Sequence, residues 1–149
     1  MKKILLLLLP ILFLFSCNND SIERILNRNK QLNGSQLDEV TTFIKAYIAS
    51  NNFYYSYEIN NCDSEDKQTE FVNKLVEKNL STNLKSQINS LEEFKIIGEN
   101  DYNIIFKYQC IDGRIVAEIK FEYINGNFKY IREPSEWNEV VDLYFEKIK

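Results

Sequence analysis

Histidine is absent from the 149-residue chain, and tryptophan and methionine occur once each. The missing histidine excludes Ser-His-Asp and Cys-His catalysis, histidine metal sites and the HExxH zinc motif together. It also removes the side chain best suited to proton transfer near neutral pH. Glycine and proline are scarce, at four and two residues, and no GxGxxG, GxxxxGK[ST] or GxSxG motif occurs, so the usual phosphate loops and the nucleophile elbow are missing. No run of basic residues is present. Nucleic acid is therefore excluded as a partner, because neutralising phosphates supplies most of that affinity. These absences weigh against an enzyme and point to no cofactor and no resident metal.

What the chain does contain begins at its amino terminus. Lys2 and Lys3 precede an apolar run from Ile4 to Phe15, interrupted by Pro10, and Leu14-Phe15-Ser16-Cys17 follows. A positive start, an apolar middle and a small residue at a cleavage point form an export signal. The run is shorter than the ~20 apolar residues that span a bilayer. Ending on cysteine, the segment resembles the lipobox of bacterial lipoproteins, with bulky Phe15 as its one departure. That resemblance implies cleavage between Ser16 and Cys17, a diacylglycerol on the Cys17 thiol and an acylated amino group. Asn18, where an aspartate would favour inner-membrane retention, tilts the expected location towards the outer membrane. The membrane is then reached through lipid, each buried methylene contributing ~0.8 kcal/mol.

Removing residues 1–16 takes two of the 18 basic residues and none of the 22 acidic ones, leaving a formal charge of −6. The organisation expected is a signal over 1–16, a lipidated tether or short helix over 17–34, and one domain over 35–149. Nine tyrosines and ten phenylalanines promise a well-packed core. With Cys17 lipidated, Cys62 and Cys110 remain, in a compartment where disulfides persist. Bridged, they would constrain the unfolded chain by about 4 kcal/mol in the entropy model. Two separate buried thiols are the alternative.

Hydrophobic spacing sketches the elements. Ile22, Ile25 and Leu26 mark a short amphipathic stretch. Leu37, Val40, Phe43, Ile44, Tyr47 and Ile48 fall at helical spacing and predict a helix from Ser35 to about Asn52. Phe53 to Asn60 alternates as a strand, with Phe53, Tyr55, Tyr57 and Ile59 on one face. Phe71, Val72, Leu75 and Val76 predict a helix capped by Asp63 or Ser64. Leu80, Leu84, Ile88 and Leu91 predict further helix with a restart at Ser81, and Phe94 to Gly98 reads as a strand. Asp112-Gly113 and Asn125-Gly126 predict two hairpins. Their registers set Tyr108 against Ala117, Phe106 against Ile119, Ile104 against Phe121 and Tyr102 against Tyr123. In the second hairpin Tyr123 meets Phe128 and Phe121 meets Tyr130. Lys107 meets Glu118 and Glu122 meets Lys129 on the opposite face. Ser135 starts a final helix bearing Trp137, Val140, Val141, Tyr144, Phe145 and Ile148.

The fold class is α+β: an antiparallel meander of four or five strands with helices on one face, plus a C-terminal helix. This element order is similar to NTF2-like and cystatin-like domains. The acidic loop Asn61 to Asp66 places Asp66 and Val72 where a calcium loop needs glycine and glutamate, and it is better explained as a helix cap. A pocket is expected at Phe106, Tyr108 and Tyr130, with Arg132 at its mouth. The function expected is an envelope lipoprotein that binds a protein partner, in one version an immunity-type protein. The alternatives are an NTF2-like pocket for a small apolar ligand and a structural envelope component.

Overall fold

A computed structural model describes residues 21–60, 62, 64–75 and 87–131. The signal segment with Ser16 and Cys17, the helix restart at Ser81, Arg132 and the C-terminal helix lie outside the described residues. Among the described residues the fold is α+β, a six-stranded mixed sheet with three helices. The elements are α1 (Ile22–Lys30), β1 (Ser35–Gln36), β2 (Thr41–Ala49), β3 (Asn52–Ile59), α2 (Glu65–Leu75), α3 (Glu92–Glu99), β4 (Asn103–Cys110), β5 (Ile115–Ile124) and β6 (Asn127–Ile131). The strands lie side by side in chain order.

Two elements differ from the sequence reading. The stretch expected as a helix over 35–52 is instead β1 and β2, with Ala49 paired to Asn52 across a turn that holds Ser50 at φ 53°. The cause lies in a bulge. Phe43 pairs with Tyr57 and Lys45 with Ser56, so Ile44 is the extra residue. It shifts the inward-facing set from Thr41 and Phe43 to Ala46 and Ile48, and the resulting gap of three imitates a helical repeat. Conversely, Phe94 to Gly98 lies in helix α3, not a strand. Phe94, Ile97 and Gly98 are buried at i, i+3 and i+4. Glu92 and Glu93 occupy the first turn, where the helix dipole favours negative charge.

The third correction concerns direction. β3 and β4 run parallel, from Asn52↔Asn103 to Ile59↔Cys110. The sheet therefore has six strands and is mixed, where four or five antiparallel ones were expected. A parallel neighbour needs a long crossover, and residues 60–102, which hold α2 and α3, supply it. The antiparallel meander implied by the NTF2-like resemblance is broken at this point.

Both hairpins match the expected registers, including Tyr108↔Ala117, Ile104↔Phe121, Tyr123↔Phe128 and Lys129↔Glu122. Tyr102 sits just outside β4, so its pairing with Tyr123 does not form. Asn125 and Gly126 both have positive φ, as the two-residue turn requires. The Asp112-Gly113 hairpin is different: Cys110 N–H donates to Arg114 O, and Gln109 pairs with Ile115. One residue is added in the loop, and a bulge between Tyr108 and Gln109 restores the register.

The core lies between the sheet and the helices. Tyr55 stacks on Phe106 at 5.4 Å and Tyr57 on Tyr108 at 4.9 Å, with all four side chains fully buried. Phe94 meets Tyr55 and Phe106 edge-on. Glu93 joins three elements. Its Oε1 accepts from Tyr55 Oη at 2.5 Å and from Asn29 Nδ2 at 3.2 Å, and its Oε2 lies 3.7 Å from Arg28 Nη1. Helix α1 begins at Ser21, whose Oγ accepts from Arg24 N–H, and Ser64 does the same for Lys67 at the start of α2.

Gly98 is needed for space. A Cβ there would lie 2.7 Å from Tyr123 Cγ and closer still to two other ring carbons. Alanine would gain about 1 kcal/mol of helix propensity, but the overlap costs about 1–3 kcal/mol. Gly98→Ala should therefore lower the urea unfolding free energy by up to about 2 kcal/mol, and adding Tyr123→Val should recover part of the loss. A pH effect follows from the buried phenols. Burial raises the pKa of Tyr55, Tyr57 and Tyr108, and Glu93 adds to the rise at Tyr55 and Tyr57. The folded chain holds these protons more tightly than the unfolded one. Stability should then be level up to about pH 10 and fall above it, by about 1.4 kcal/mol per pH unit for each buried tyrosine. Urea midpoints measured from pH 8 to pH 11 check this.

Candidate functional site

The carboxyl ends of the parallel strands β3 and β4 form one corner of the molecule. Ile59 and Cys110 are paired there. The chain leaving β3 reaches Cys62, which is bonded to Cys110 with Cα atoms 5.6 Å apart. Arg114 braces this end. Its Nη2 donates to Cys62 O at 3.3 Å and its Nε to Asp112 Oδ2 at 2.8 Å. The backbone N–H of Arg114 also donates to Asp112, and these bonds hold the Asp112 carboxyl below the usual range. The disulfide and Arg114 line an open depression of about 490 Å³. At its margin Ile111 is 82% exposed, and Ile115 nearby is 50% exposed.

A second set of groups lies under α2 at the same corner. Asp38 opens the bend before β2, and its Oδ1 accepts from the N–H groups of Val40 and Thr41 at 2.7 and 2.8 Å. Its other oxygen, Oδ2, is buried and has no hydrogen-bond partner among the described residues. The same is true of Thr41 Oγ1, Tyr57 Oη and Tyr108 Oη, and all three residues are wholly buried. The phenol pKa values are raised by burial first. At Tyr108, neighbouring Tyr57 and the Asp38 carboxylate add to the rise, and at Tyr57 the added charge is that of Glu93. Unpartnered buried groups cost about 1–3 kcal/mol each, so four of them together are unusual for a core. Phe71 of α2 packs on Tyr108 at 5.6 Å. With Val40 and Ile59 it lines a small depression of about 180 Å³, bordered by Lys67, Glu70 and Lys74. Lys74 and Glu70 pair with each other.

The residues singled out from sequence are placed as follows. Cys62 and Cys110 come together. Phe106 and Tyr108 do not wall a pocket: both are fully buried, because Phe94 and Phe71 pack directly on them. Tyr130 is half-buried and meets Phe121 edge-on at 5.9 Å, and Arg132 lies outside the described residues. Among the described residues helix side chains fill the space over Phe106 and Tyr108, and neither residue lines the two depressions described above. In the acidic loop, Ser64 caps α2 and Asp66 is exposed in its first turn. Among the described residues no group of three or more Asp, Glu, Cys or His could hold a metal ion. Asp38 and Thr41 escaped sequence reasoning because their segment was read as helix.

No protein-family model matches the sequence, and no curated protein is significantly similar to it. The fold does match that of a presumed secreted protein of Pseudomonas aeruginosa, with a TM-score of 0.53 at 8% identity, covering 67% of this chain and 84% of the other. That likeness concerns the fold alone.

The disulfide closes a loop with a sequence separation of 48. Replacing Cys62 and Cys110 together by alanine should lower the unfolding free energy by about 4 kcal/mol in the loop-entropy model. Urea unfolding with and without reductant should show the same loss in the parent and no further loss in the double variant.

Proposed function

We propose that this chain is an exported lipoprotein, held in the cell envelope by lipid on Cys17, whose folded domain binds a protein partner. The observation that carries this reading is the amino-terminal segment, with Lys2, Lys3, an apolar run too short to span a bilayer, and the boundary Ser16-Cys17. The Cys62–Cys110 bridge supports it, since such bonds persist outside the reducing cytoplasm. The fold shared with a presumed secreted protein is consistent with the same address. Asn18 favours the outer membrane over the inner. Binding is favoured over catalysis because the chain has no histidine. Ile111 and Ile115, exposed beside the braced disulfide, are apolar surface suited to a protein contact. The acidic balance fits an immunity-type role.

One experiment addresses anchor and partner together. The full chain is expressed in a bacterial host and recovered from membranes, and its mature amino terminus is weighed by mass spectrometry. We expect a diacylglyceryl group on Cys17 and release of Cys17→Ser from the membrane fraction. Cross-linking in intact envelopes should join the parent to a stoichiometric protein partner, and Ile111→Asp should reduce that product severalfold. An unmodified Cys17 refutes the anchor. A chain that cross-links to no protein refutes the binding role.

A further inference from the structure

The unpartnered groups beneath α2 have a common chemistry. Asp38 Oδ2 is an anionic acceptor without a donor, although the carboxylate is fixed in place through its other oxygen by two backbone N–H groups. Thr41 Oγ1, Tyr57 Oη and Tyr108 Oη belong to three wholly buried residues and are likewise without partners. Tyr57 and Tyr108 are paired on β3 and β4, and Thr41 is paired with Ile59, two residues along β3 from Tyr57. The four atoms thus belong to one corner of the sheet. Each hydroxyl oxygen can accept as well as donate.

We infer that this corner is a binding site for a primary alkylammonium group. Such a group brings three N–H donors and a positive charge to a carboxylate oxygen and hydroxyl oxygens that lack donors. The depression of about 180 Å³ outside the corner offers an alkyl chain Val40, Ile59 and Phe71, while at its border Glu70 pairs with Lys74 and Lys67 stands alongside. An anion would be repelled by Asp38. A divalent metal would ask for more carboxylates than the one present. Entry requires the Phe71 ring, 8% exposed at the mouth, to swing aside. The amine can come from a lysine side chain of a partner or from a free polyamine. Only the first source rests on the binding role proposed above, and the site itself does not depend on lipidation.

The test uses the full chain in detergent, titrated with n-butylammonium chloride and followed by calorimetry and by the tyrosine resonances. Tetramethylammonium chloride at equal ionic strength is the control, since it carries charge but no N–H. We expect saturable binding of n-butylammonium only. Asp38→Asn keeps the acceptor for Val40 and Thr41 and should weaken binding about tenfold or more. Tyr108→Phe keeps the ring stack and should weaken it roughly threefold to tenfold, with an unchanged melting temperature. Thr41→Val provides a third, isosteric variant should either of these fail to fold. The inference is overturned by absent or unsaturable binding, by equal binding of tetramethylammonium, or by folded variants that bind as the parent does. Comparing 1,4-diaminobutane with a blocked lysine amide then names the source. Preference for either one supports the site.

Discussion

Parallel pairing of β3 with β4 is the constraint on which most of this structure depends. It sets Tyr55 beside Phe106 and Tyr57 beside Tyr108, so that two aromatic-rich strands stack ring on ring instead of interleaving. It also brings both strands to their carboxyl ends at one corner, where Ile59 and Cys110 pair and Cys62 can reach its partner. Because parallel neighbours need a crossover, the chain between them must travel the length of the sheet, and α2 and α3 lie on that route. The helices in turn cover the aromatic face. The disulfide ties the start of the crossover to the end of β4.

The covering layer is held by unequal means. At α3 the fit is close: Glu93 satisfies Tyr55 and Asn29 at once, and Gly98 leaves room for the Tyr123 ring. At α2 the packing is apolar, through Phe71 and Val72, over hydroxyls that find no partner. Among the described residues the α3 side leaves Asn29 Oδ1 unpartnered, whereas the α2 side leaves Asp38 Oδ2 and three hydroxyls. The less satisfied side adjoins the open corner with the disulfide, the exposed Ile111 and the two depressions. Proteins tolerate such groups where they serve a ligand, because the cost of leaving them unpaired is then recovered on binding.

In the function proposed here the chain combines an address with a disulfide-tied domain. The proposed address is the short segment ending at Cys17, which export and lipidation machinery would read without any tertiary structure. The domain offers a corner with both apolar and polar features, and a partner carrying a lysine on an apolar surface would engage both.

The two C-terminal hairpins were legible because each is local. Asn125-Gly126 specifies its turn, and apolar and charged pairs then agree across a few residues, as in Phe121↔Tyr130 and Glu122↔Lys129. The pattern of β3 was equally plain. β2 was not, since the bulge at Ile44 replaced a period of two by a step of three that imitates a helix. α3 was missed because Phe94, Ile96 and Ile97 favour strands by type, and what makes the segment helical is the burial of Phe94, Ile97 and Gly98 against the sheet. By itself, then, the sequence determined the absence of histidine chemistry, the hairpin registers and an aromatic core, and it carries the proposed export segment. Only the tertiary structure decided that β3 and β4 run parallel and that Cys62 meets Cys110. It alone revealed that Asp38, Thr41, Tyr57 and Tyr108 share one corner. The physical reason is separation along the chain: these contacts join residues tens of positions apart, and no local propensity records which strand a crossover returns to.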